Sequence, residues 1–126
     1  MKLGTLLTIN AIVAILFGLA FVLMPATITS YYGITLSPAG LYVGQLFGAT
    51  LLGFAVLTWA SRNAGESEAR QAIVLALLIS HTVGLIVSLL AQFAGIVNAL
   101  GWSTIVIYLL LALGFAYFQF MKPSSA

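Results

Sequence analysis

The sequence predicts an all-α membrane protein, a four-helix transmembrane bundle with both termini cytoplasmic. Three observations carry this. The 126-residue chain is 63% hydrophobic and 5% charged, whereas a soluble domain carries about a quarter charged residues. Four apolar stretches of about 20 residues, the length that crosses a bilayer, take up most of the chain. All the formally charged residues (Lys2, Arg62, Glu66, Glu68, Arg70 and Lys122) fall outside those stretches.

Span one is expected over residues 5–24, ending at Pro25, which cannot continue a helix without losing a backbone hydrogen bond. Its apolar run is longer than the core of a secretory signal and no A-x-A site follows, so it reads as a retained span. Span two, residues 40–60, follows Ser37-Pro38, where serine can cap and proline can take the first helical position. Span three covers residues 72–93. Asn63 or Ser67 could cap it, and Glu66 and Glu68 would favour the positive end of its dipole. Span four covers residues 101–120 and gives way to Lys122-Pro123. Together they make one transmembrane domain over residues 1–126, with no length left for a soluble one.

Orientation follows from the cations. Lys2 precedes span one, Arg62 and Arg70 flank the second connection, and Lys122 follows span four. With four spans these segments share a face, while the first and third connections carry no charge. Positive residues mark the cytoplasmic side, so an N-in, C-in arrangement in a bacterial inner (plasma) membrane is expected. Tyr31, Tyr32, Tyr42, Phe93 and Trp102 would form the outer aromatic belt, with Trp59, Tyr117, Phe118 and Phe120 at the inner boundary. The first connection mixes Ile28, Tyr31, Tyr32, Ile34 and Leu36 with Thr and Ser, so it should lie at the interface or fold over the bundle.

Helices in lipid associate through small residues that let backbones approach. Span two supplies Gly44-x-x-x-Gly48, span three Ser80-x-x-x-Gly84, and span one Ala14-x-x-x-Gly18. These mark contact faces between the spans or toward other membrane proteins, including further copies of the chain.

Polarity inside the spans is sparse. At roughly 100° per residue, His81, Gly84, Ser88 and Gln92 share an arc of about 80° on span three. His81 falls near the bilayer midplane, Asn10 on the inner half of span one, and Gln45 in the outer half of span two. Span four aligns Thr104, Tyr108, Phe115 and Gln119. An ionisable residue at the midplane is a functional candidate by default, but a neutral imidazole pays no charge penalty. Two readings stay open for His81: a hydrogen bond to a neighbouring helix, through Asn10 or Thr58, or a ligand contact. Gln45 and Gln92 could pair across spans two and three. The candidate ligand-binding set is therefore His81, Ser88, Gln92, Gln45 and Asn10.

Much chemistry is excluded. The chain has no Asp, and both Glu lie in the second connection, so acid–base carboxylate pairs and Ser–His–acid triads are missing. One His, no Cys and no membrane carboxylate leave no metal site. Four scattered cations make no phosphate-binding patch, so nucleic acid is not an expected partner. Small multidrug transporters share this length and span count but depend on a carboxylate in the first span, where this chain has only Asn10.

The segments Tyr31-Tyr32-Gly33-Ile34 and Leu46-Phe47-Gly48-Ala49-Thr50-Leu51-Leu52-Gly53 resemble those of small four-span DoxX-like and related integral membrane proteins. The resemblance implies a compact four-helix bundle, often accessory to larger membrane systems, with no catalytic residues to carry over. The expected function is thus a non-enzymatic accessory or scaffold subunit that needs no cofactor and meets the bilayer and other membrane proteins. The alternative is an intramembrane binder of a lipid, quinone or pigment, through the polar face of span three.

Overall fold

The computed structural model describes residues 1–121; Lys122, expected to flank span four, lies outside them. The chain is helical, with no strand among the described residues: α1 (Leu3–Leu23), α2 (Pro25–Ser30), α3 (Pro38–Ser61), α4 (Glu68–Phe93) and α5 (Gly101–Ala116). A π-helical turn, Tyr117–Met121, prolongs α5. Four of these helices are long and apolar enough to cross a membrane, the π-helical turn being counted with α5.

Local chemistry sets their ends. Pro25 closes α1 and, one residue later, opens α2 from its first position. Ser37 caps α3, its hydroxyl accepting from the Gly40 amide at 3.0 Å, with Pro38 in the first turn. Of the two candidates for α4 it is Ser67 that caps, accepting from the Arg70 amide at 3.1 Å, with Glu68 in the first turn. Both helices therefore start earlier than the apolar runs alone suggest, because caps hold their first turns, the polar turn 68–71 of α4 among them.

The long helices alternate in direction, so the chain has a terminal end and a loop end. The terminal end carries Met1, the α3–α4 connection and Met121; the loop end carries the α1–α3 and α4–α5 connections. α3 packs along α1 and α5 along α4, while α3 and α4 barely touch. Two helix pairs thus make the bundle, joined where α1 meets α5 and through the side-chain core at the terminal end.

The α1–α3 seam depends on glycine. A Cβ on Gly48 would lie 2.8 Å from the Gly18 carbonyl oxygen, and one on Gly18 would lie 2.9 Å from the Leu52 side chain. At the α4–α5 seam Gly84 lies flat beneath the Tyr108 ring. The two pairs meet at the terminal end in a core of Leu3, Leu6 and Leu7, Val74 and Leu77, and Leu111, Phe115 and Phe118. Phe118 is 3% exposed and belongs to this core, not to a peripheral aromatic belt, whereas Trp59, Tyr117 and Phe120 do face outward.

At the loop end the two connections are stitched by Asn98. Its backbone amide donates to the Tyr32 carbonyl and its side-chain amide to the Tyr31 carbonyl, both at 3.0 Å. Gly33, at φ +76°, makes the turn that presents these carbonyls, and its Cα face rests on the Asn98 side chain. Outward helix faces are mostly apolar, with Leu16, Val43, Val56, Val87 and Leu110 all well exposed. Arg70 departs from the picture of a surface cation: it is buried at the start of α4, and its Nε has no hydrogen-bond partner among the described residues.

Candidate functional site

Above the terminal core the two helix pairs diverge and leave a partly open cavity of about 260 Å³ between them. Its floor is polar. Asn10 on α1 and His81 on α4 face each other, with His81 Nε2 and Asn10 Oδ1 2.7 Å apart. The imidazole is clamped on two further sides. It stacks on Phe115 at 5.7 Å between centroids with an interplanar angle of 16°, and Tyr108 tilts against it at 5.8 Å. Three side chains from two helices, α1 and α5, therefore hold one ring, fixing its orientation.

The walls are mostly hydrocarbon. Val13, Ala14, Phe17 and Phe21 line the α1 side, and Phe47, Leu51 and Phe54 the α3 side. Phe21 and Phe47 meet edge to face at 5.0 Å. Ser88 of α4 and Thr104, Ile107 and Tyr108 of α5 complete the circuit. Over the loop end the α1–α3 connection folds inward, contributing Thr29, Tyr32 and Ile34 as a cap. The cap is anchored where Thr104 Oγ1 donates to Tyr32 Oη at 3.3 Å. Phe47 lines the cavity while 41% exposed.

Residues 2–121 match the family described as Domain of unknown function (DUF8292). The chain belongs to this family. No curated protein and no solved structure matches it. Membership of DUF8292 carries no link to the DoxX-like proteins that the loop and span-two segments resemble.

In this DUF8292 protein the five polar residues singled out from the sequence go to two places. Asn10, His81 and Ser88 line the cavity. Gln45 and Gln92 do not, nor do they pair with each other. Gln45 Nε2 donates to the Val22 carbonyl at 3.1 Å, fastening α3 to the end of α1. Gln92 Nε2 donates to the Asn98 carbonyl at 3.1 Å, bracing the α4–α5 connection, and its Oε1 is buried against Gly101 without a partner. Of the two partners open to His81, Asn10 is the one used. Thr58 instead turns back on its own helix, donating to the Phe54 carbonyl at 2.7 Å.

The packing residues also divide. Gly18, Gly48 and Gly84 sit at close helix contacts, as above, but Gly44 has only ordinary contacts at 3.7 Å with Leu36, Phe21 and Pro25. Ser80 is half-buried on α4.

Sequence reasoning had no means of finding the aromatic walls or the Asn98 stitch. Phe17 and Phe54 resemble any membrane-facing phenylalanine until the helices are paired. One signal was present: Thr104, Tyr108 and Phe115 lie on a single face of α5, and that face meets His81 and the cavity.

Proposed function

We propose that this protein is an integral membrane protein whose bundle binds an uncharged, largely apolar small molecule of the lipid, quinone or pigment kind, without catalysing a reaction. Insertion is supported by the inverted surface, apolar on the outside of every long helix. Orientation is supported by Lys2, Arg62 and Arg70, which share the terminal end, so both termini face the cytoplasm of a bacterial cell.

The observation that carries the binding reading is the cavity itself: aromatic and aliphatic walls closed at one end by a buried Asn10–His81 pair. Pockets of this make-up, mostly apolar with a few convergent polar groups, are where small molecules bind. Tightly packed interiors seldom leave such space empty. Among the described residues no carboxylate, Lys or Arg lines the cavity, so the lining carries no fixed charge.

The accessory-subunit reading comes second. It drew on small-residue faces, and Gly18, Gly48 and Gly84 are spent on contacts within the chain. What favours it is Gly53, exposed on α3 with open space around its Cα, where another helix could approach closely.

The test is the ligand carried through purification. Protein extracted in mild detergent should release an apolar compound to organic solvent in a fixed molar ratio, and His81→Leu should lose it while keeping its helicity. An unchanged ligand content in that variant, or none in the native protein, would sink the proposal.

A further inference from the structure

At the floor of the cavity one donor is left without an acceptor, and this specifies the ligand. A carboxamide and a neutral imidazole can share one hydrogen bond in two ways. Either Nε2–H donates to Asn10 Oδ1, or a reversed amide donates to a bare Nε2. His81 Nδ1 favours the first, because it is buried and has no partner among the described residues. With Nε2 bare, Nδ1 would be a sealed N–H donor, and buried donors without acceptors are the rarer defect in folded proteins. Hence Nε2–H donates, Oδ1 is occupied, and the Asn10 amide N–H groups are left over. Asn10 is only 3% exposed and lines the cavity, so those donors have the cavity to turn to.

Farther along the wall the Ser88 and Tyr108 hydroxyls can also donate. In the Tyr32–Thr104 hydroxyl pair, whichever oxygen accepts keeps its own proton to give. These hydroxyls can accept as well, so the Asn10 amide is the group that demands an acceptor, and among the described residues no cation lines the cavity to balance an anion. From Asn10 to Phe21 the cavity follows α1 for about 16 Å at 1.5 Å per residue, a long narrow shape.

We infer that the cavity takes an uncharged, elongated hydrocarbon bearing a carbonyl oxygen, such as a ketone, ester or ring carbonyl. The oxygen accepts from the Asn10 amide and the hydrocarbon runs past Phe17 toward Phe21. This rests on the binding reading above and names its ligand class.

The full chain in lipid nanodiscs is titrated with three probes of equal length: a long-chain methyl ketone labelled with ¹³C at the carbonyl, the alkane and the carboxylate. The ketone should bind about two- to tenfold more tightly than the alkane, the margin one net hydrogen bond supplies, and the carboxylate should not bind. The bound ketone's carbonyl stretch should move to lower frequency than in lipid alone, and Asn10→Ala should abolish that shift while still taking up the alkane. The affinity ratio and the band position need only the native chain, so an unstable variant leaves the test intact. Equal affinity for ketone and alkane with an unshifted band overturns the carbonyl inference and leaves the binding proposal standing. Preference for the carboxylate also overturns it. Failure of all three probes to bind overturns both.

Discussion

Asn10 and His81, 71 positions apart in the chain, meet at 2.7 Å across the two helix pairs. The bond couples α1 to α4 where the terminal core ends and the cavity begins. Removing either partner strands the other in an apolar interior, at a cost of about 1–3 kcal/mol. We expect Asn10→Leu and His81→Leu each to destabilise the bundle by that amount. The double variant should lose less than the sum, with a coupling of about 0.5–2 kcal/mol. Unfolding in mixed micelles gives the three values, and strict additivity would show that the pair does not interact.

Gly84 and Gly53 should respond in opposite directions to the same change. A Cβ at Gly84 would press into the Tyr108 ring, within 2.8 Å of Cδ1, whereas one at Gly53 meets nothing within 4 Å. Gly84→Ala should therefore cost about 1–3 kcal/mol through overpacking. Gly53→Ala should stabilise by about 0.5–1 kcal/mol, since alanine is the better helix former. Thermal unfolding midpoints of the two variants decide this, and shifts of the same sign would contradict the packing described.

Ala14 lines the cavity and is 5% exposed. Ala14→Phe directs a ring into space already enclosed, so helicity and melting should change little. Co-purified ligand should fall to background. Retention of the ligand at native levels would place it outside this cavity.

The absence of cysteine makes topology directly readable. A single cysteine at Thr35, in the α1–α3 connection, should react with a membrane-impermeant maleimide in intact cells. One at Gly65, in the α3–α4 connection, should react only after permeabilisation. The reverse pattern would invert the proposed orientation.

The helices were legible because each leaves its mark within a short window. Ser37-Pro38 and Ser67 announce helix starts through capping chemistry, and Pro25 announces a stop, so the ends of span one and the start of span two fall within a few residues of expectation. Two details were missed locally. Pro25 also starts a new helix, and α4 begins at Glu68 because its cap holds a polar first turn that hydropathy discards.

The site was half legible. His81 and Ser88 share a helix face by arithmetic, and the cavity uses both. Gln92 shares that arc and goes elsewhere, because near the end of α4 its amide reaches the Asn98 carbonyl of the following loop, which also accepts from the Gly101 amide. Angle around an axis says nothing about height along it or about what stands opposite.

The sequence alone determined where helices form and which residues are too polar to be left without partners, since spacing, caps and composition act within a turn or two of the chain. It also determined that four helices could cross a membrane and that Lys2, Arg62 and Arg70 gather at one end. Only tertiary structure decided that α3 pairs with α1 and α5 with α4, that Asn10 is the partner of His81, and that space is left between the pairs. The physical reason is that these outcomes depend on shape fitting between distant segments. Gly48 against Gly18, Tyr108 over Gly84 and Asn98 on Tyr32 set how near each helix can come, and the cavity is what their sum leaves unfilled.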